Sequence, residues 1–174
     1  MLIKNPSAKV SKLNRFVPYW TADGYKAVKA IALVAVATAK LPGALVMTSS
    51  GWGYRAFNSY SATGNTKFAV AMHTGASGDY IECAIEGYIT GINQSGTGTI
   101  TTCYSTFTVG HVVSLTDTGH LIDLGATWTD AYWTCSSVQS TAASAVGIAM
   151  ASGDDRSDID LWVVGKPTIY CAAT

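Results

Sequence analysis

Three histidines, eleven carboxylates and four cysteines are the groups in this chain that could carry chemistry. His111, His120 and Asp123 could converge across a hairpin on a metal ion, but no HxH or HxxxH spacing supports a site. A histidine of this kind in a β protein is ordinarily a surface or hydrogen-bonded residue. Asp154, Asp155, Asp158 and Asp160 fall within seven positions and could chelate calcium. The alternation Asp158-Ile159-Asp160-Leu161, however, puts the last two carboxylates on the outer face of a strand. The first two sit in a turn, where aspartate is favoured anyway. A solvated turn is therefore the simpler reading. No GxSxG or Walker A motif occurs, and no GxGxxG opens a helix. Gly51-Trp52-Gly53 lacks the third glycine. No acid, base and nucleophile stand at productive spacing, so no catalytic residue, cofactor or metal is expected. Cys83, Cys103, Cys135 and Cys171 form no CxxC pair and read as small, reduced, buried hydrophobes.

Aromatic side chains are the stronger binding signal. Trp52, Tyr54, Trp128, Tyr132 and Trp133 could stack on sugar rings or anchor a protein interface, the plain alternative being core burial. Base stacking is disfavoured, because the body around them is acidic and repels phosphate. Net charge is zero, but its distribution is uneven. Residues 1–40 carry Lys4, Lys9, Lys12, Arg15, Lys26, Lys29 and Lys40 against Asp23 alone. Residues 41–174 carry four basic residues against ten carboxylates. A basic segment on an acidic body suits attraction to an acidic neighbour, whether nucleic acid, another protein or a sister subunit; a solubilising tail is the plainer reading. Pro6 and Pro18 discourage regular structure in residues 1–20. That stretch reads as an extended arm with Phe16, Tyr19 and Trp20 as anchors.

The elements that must position these residues come in two copies. Phe68–Gly87 returns as Val146–Gly165, from 68 to 146, 78 positions on and without a gap. Ala71/Ala149, Met72/Met150, Gly75/Gly153, Ile81/Ile159 and Gly87/Gly165 are identical. Each copy reads as a strand, a Gly-containing turn and a second strand. Upstream, Leu45–Gly51 is echoed by Val113–Gly119. The second copy is longer: 25 positions separate Met47 from Met72, and 35 separate Leu115 from Met150. The surplus lies in the aromatic stretch between Gly125 and Ala143. A strand is expected at Ala30–Ala39, with a short helix at Ala22–Ala30 as the alternative, then a turn at Lys40-Leu41-Pro42-Gly43. Strands follow at Ala44–Thr48, Trp52–Phe57, Thr99–Phe107, His120–Leu124 and Pro167–Cys171, with a polar loop at Asn58–Thr66. The predicted fold is all-β, a β-barrel or sandwich made of two similar small β modules with an extended N-terminal arm. The divisions are residues 1–30 for the arm, 31–92 for the first module and 99–174 for the second, the two modules sharing one core in one version of this reading. Charged residues are only 13% of the chain, which suits a subunit with several buried interfaces. No run of 18 apolar residues and no signal-peptide core is evident, so neither a membrane span nor secretion is expected.

The order of Lys40-Leu41-Pro42-Gly43-Ala44-Leu45-Val46, a Ser-Gly turn, a variable loop, Phe68–Met72, a Gly-Asp turn and Ile81–Gly87 resembles the capsid decoration (cement) proteins of tailed bacteriophages. Val146–Gly165 carries the same phrase. The resemblance covers roughly residues 30–92 and 105–165 and rests on short, apolar, Gly-based motifs. It implies a non-enzymatic virion protein on the capsid exterior, made in the host cytoplasm. Its partners would be the major capsid protein and itself, commonly as trimers, with no membrane and no nucleic acid contact. The arm residues Lys4, Lys9, Lys12, Arg15, Phe16, Tyr19 and Trp20 would then be the attachment segment. The doubling, the basic arm and the WTDAYW stretch depart from the pattern. A carbohydrate-binding β module of a tail or fibre, using Trp52, Trp128 and Trp133, is the alternative.

Overall fold

Along Lys26–Ala32, Val28, Ala30 and Ala32 share one buried face, while on the other face Ala27 is covered and Lys29 meets water. That is the pattern of a strand, not of a helix. The computed structural model describes residues 17–56, 67–93, 106–115, 121–127, 144–153 and 158–164. Within them lie β1 (Tyr19–Trp20), β2 (Lys26–Ala32), β3 (Leu41–Thr48), β4 (Gly51–Ala56), β5 (Lys67–Ala71), β6 (Tyr80–Ile92), β7 (His111–Leu115), β8 (Leu121–Thr127), β9 (Ser144–Ala149) and β10 (Ile159–Val163). The fold is all-β. Expected features at residues 1–16, 57–66, 94–105, 116–120, 128–143, 154–157 and 165–174 lie outside the described residues.

The ring β2-β4-β3-β5-β6 closes on itself because β6 also pairs with β2. Only the β2–β4 contact is parallel. This is a five-stranded barrel. Its interior holds Val28, Leu45, Tyr54, Ile81, Cys83 and Ile85 among others. Burial of each large apolar side chain there contributes roughly 1.5–3 kcal/mol.

β6 then runs on past Gly87 and pairs with β10, and the sheet continues β10-β9-β7-β8. The order repeats the first unit: β10, β9, β7 and β8 stand where β6, β5, β3 and β4 stood. The C-terminal half of β6 takes the place of β2. Detail supports the equivalence. Ala30 pairs with Ile81, and Ile92 pairs with Ile159, the residue 78 positions on. Val36 and Gly75 form an isolated two-way bridge, and so do Phe107 and Gly153. The amides of Met72 and Met150 donate to the carbonyls of Glu82 and Asp160, 2.9 and 2.8 Å. One apolar cluster joins Ala27, Ala44, Val70 and Ala84 of the first unit to Ile89, Phe107 and Leu161 of the second. The two units therefore overlap along β6 and share core.

Both hairpins of the repeat form as expected, and so does the β3–β4 hairpin around Ser49-Ser50. Three expectations fail. The strand placed at Ala30–Ala39 lies at Lys26–Ala32. The alternative helix at Ala22–Ala30 is absent, because small alanines are wanted where β2 packs on both faces, and that burial overrides their helix propensity. Pro42-Gly43 is no turn: both residues lie inside β3, paired with Val70 and Ala69. The chain reverses at Lys40, the first residue of the expected turn, which has φ of 55°. Gly43 is needed for packing. A Cβ there would run into the Tyr54 ring and the Arg55 carbonyl oxygen. The Tyr54 hydroxyl in turn donates to the Leu41 carbonyl oxygen at 2.6 Å, deep in the barrel.

Gly43→Ala should therefore destabilise the protein by about 1–3 kcal/mol, the usual cost of overpacking a tight core. Chemical denaturation reads this directly, and an unchanged midpoint would contradict the packing described.

Candidate functional site

The N-terminal segment is tied down at its root by one carboxylate. The Tyr19 hydroxyl donates to Glu82 Oε2 and the Tyr25 hydroxyl to Glu82 Oε1, each at 2.6 Å. Local structure delivers both phenols. A turn at Thr21–Gly24, closed by the Thr21 amide on the Tyr25 carbonyl, lets β1 fold back on β2 with Tyr19 opposite Ala27. Gly24 has φ of 85°, which suits glycine at that reversal. Burial, then the hydrogen bond to Glu82, raises the pKa of both tyrosines above the ordinary value. Around them Lys26 meets Glu86 at 3.4 Å and sits 5.9 Å from the Trp20 ring centre. Burial, with Lys26 nearby, lowers the pKa of Lys67 against the pull of Glu86. Trp20 itself is 62% exposed and Val17 55%.

The second unit repeats this carboxylate. Asp160 stands 78 positions after Glu82, and Asp160 also accepts from a phenol. The Tyr88 hydroxyl donates to Oδ2 at 3.1 Å and the Gly91 amide to Oδ1 at 2.8 Å. Beside it the sheet face differs from its counterpart. In the first unit the cross-strand row is Ala27–Ala84–Val70–Pro42. The first three of these are fully buried, and Tyr19 and Tyr25 pack against their cluster. In the second unit the same row is Tyr88–Trp162–Ile148–Val112. Here Tyr88 is 43% exposed and Trp162 47%.

Of the arm residues, Tyr19 and Trp20 are placed as above, while Lys4, Lys9, Lys12, Arg15 and Phe16 lie outside the described residues. Of the aromatic set, Tyr54 is a correction: its ring is fully buried and serves the barrel, so no ligand can stack on it. Trp52 is half-buried against the same core. Trp128, Tyr132 and Trp133 lie outside the described residues. His111 meets Asp123 at 3.0 Å, and Asp123 also accepts from the Thr108 amide. His120, Asp154 and Asp155 are not described. Asp158 is exposed and Asp160 partly buried, while Ile159 and Leu161 between and beyond them are core, as the alternation implied. Among the described residues no three His, Cys, Asp or Glu side chains gather into a metal-binding group. Cys83 is a buried free thiol whose pKa burial pushes up.

Sequence reading passed over Tyr88 and Trp162, which sit in a stretch read as scaffold. One signal could have found them. Shifting the chain by 78 sets Trp162 against Ala84, a change from a methyl group to the largest side chain on an otherwise matched strand.

Tyr19 and Tyr25 keep their protons when folded at pH values where a free tyrosine, pKa about 10, has lost its own. Unfolding then releases protons, so their contribution is complete below pH 10 and declines as pH rises beyond it. Denaturation midpoints should fall between pH 9 and 11, and less steeply for the Tyr19→Phe, Tyr25→Phe double variant. At pH 7 that variant should cost about 1–3 kcal/mol through loss of hydrogen bonds to a charged acceptor. Equal pH slopes for the two proteins would refute the clamp. Compared with family models, curated proteins and solved structures, the chain matches none.

Proposed function

We propose that this chain is a structural, non-enzymatic virion protein that binds the outer surface of a phage capsid and stabilises it, through oligomerisation and through its N-terminal arm. The observation that carries the reading is the Tyr19–Glu82–Tyr25 clamp. It fixes the point from which a basic segment leaves an acidic body, and it leaves Trp20 facing outward. A segment held at its base loses less freedom on docking than one that hangs from a loose end. Each residue that must be ordered costs about 1–2 kcal/mol in backbone entropy. Anchors such as Phe16 and Trp20 each offset this by up to about 1.5–3 kcal/mol when buried. Lys4, Lys9, Lys12 and Arg15 add attraction to an acidic shell, which salt would screen. The low charge fraction of the chain and its doubled, rigid β framework suit a subunit clamped between neighbours. In this role the partners are the major capsid protein and other copies of the chain, trimers being the form the family resemblance favours.

The test is sedimentation of purified protein with expanded capsids that lack it. Full-length protein should pellet with the capsids, and deletion of residues 1–16 should weaken its binding at least about tenfold, the loss of one well-buried anchor. Unchanged occupancy by the truncated protein would overturn the arm as the attachment element. No co-sedimentation of the full-length chain would overturn the decoration role itself.

A further inference from the structure

We propose that the Tyr88–Trp162–Ile148 face receives the basic segment, residues 1–16, of a second copy of this chain. The inference rests on the reading above that the chain acts as a homo-oligomer on the capsid, and it names a surface that joins its copies.

Comparison of the two units carries the argument. The row Ala27–Ala84–Val70 is buried in the core shared with the second unit, with Tyr25 in the same cluster and Tyr19 packed against it. The equivalent row Tyr88–Trp162–Ile148 leaves two large rings about half exposed. Among the described residues, the face that is buried in the first unit, with the N-terminal strand taking part, is exposed at Tyr88 and Trp162 in the second. Its chemistry fits the same kind of segment. Asp160 accepts from the Tyr88 hydroxyl beside the rings, and exposed Asp158 precedes it on the same edge, where Lys40 reaches Thr90 at 3.4 Å. Residues 1–16 carry Lys4, Lys9, Lys12 and Arg15, no carboxylate, and the apolar side chains Leu2, Ile3, Val10, Leu13 and Phe16. Such a segment offers cations to the aspartates and apolar groups to Trp162 and Ile148. Lysine or arginine over the open rings adds a cation–π contact.

Direction favours a second copy over the same one. β1 is antiparallel to β2, and β2 is antiparallel to β6, so β1 runs parallel to β6. Tyr19 lies level with Ala84, and Trp20 with Glu86. Passing back from Trp20 through Tyr19 to Val17 leads toward the Tyr80 end of β6, away from Tyr88. Sixteen extended residues reach roughly 53–58 Å, enough to lie across a neighbouring subunit.

A benzophenone amino acid in place of exposed Thr90 tests the assignment, in protein reassembled from equal parts of unlabelled and ¹⁵N-labelled full-length chains. Irradiation should join the Thr90 peptide to residues 1–16, with the two isotopes mixed across the cross-link. Cross-links to residues 1–16 of the same isotope only, to any other segment, or to nothing would overturn the proposal. In parallel, Trp162→Ser should raise the self-association constant Kd at least tenfold by analytical ultracentrifugation, with an unchanged circular dichroism spectrum because the ring is exposed. An unchanged Kd would also overturn it. Capsid sedimentation separates the two readings. A chain that binds capsids yet shows no mixed cross-link fails here alone, and one that cross-links as expected yet ignores capsids fails only as a decoration protein.

Discussion

The continuity of β6 is the constraint on which the rest of the molecule depends. Thirteen residues form one strand, yet its two halves belong to different units. The first half closes the barrel between β2 and β5, and the second half opens the next sheet beside β10. The change of partner comes at Gly87, where φ is 107°. A Cβ at that point would press on the Tyr25 backbone at 3.0 Å and the Gly24 carbonyl at 3.1 Å. Glycine is required there twice over, by backbone conformation and by the close approach of the turn before β2. Because one strand is both the last of one unit and the first of the next, the units cannot move as independent beads.

That sharing also explains why two carboxylates take up matching positions with different consequences. Glu82 and Asp160 each sit on an outward position of the strand that ends its hairpin. In the first unit the phenols come from Tyr19 and Tyr25, so satisfying the carboxylate also secures the N-terminal strand. In the second unit the donors are the Tyr88 hydroxyl and the Gly91 amide, both on the adjacent strand β6, so the carboxylate secures no separate segment among the described residues. The same polar device thus anchors a segment in one place and leaves a sheet face open in the other.

Much of the framework was legible along the chain. The 78-residue echo located both hairpins, and period-two alternation at Asp158–Leu161 assigned inside and outside correctly. The all-β class followed from short strands punctuated by Gly and Ser turns. What misled were local signals that packing overrode. Pro42-Gly43 has turn chemistry, but Gly43 is there to let the Tyr54 ring cross the barrel. The alanines of residues 22–39 suggest a helix, but Ala27, Ala30 and Ala32 are buried in β2, where a small side chain fits the packing. Tyr54 was a plausible exposed ring until its hydroxyl was found on the Leu41 carbonyl.

The sequence by itself determined the repeat, the strand periodicity and the separation of basic from acidic halves, because each is a property of residue order and composition. Only the tertiary structure decided that the repeats overlap through β6, that Glu82 holds two tyrosines from 57 and 63 positions away, and that Trp162 faces outward while Tyr54 faces in. These are long-range outcomes. Strand order, and whatever else lies over a given face, set which of two chemically similar rings meets water, and the residues flanking a ring in sequence do not carry that information.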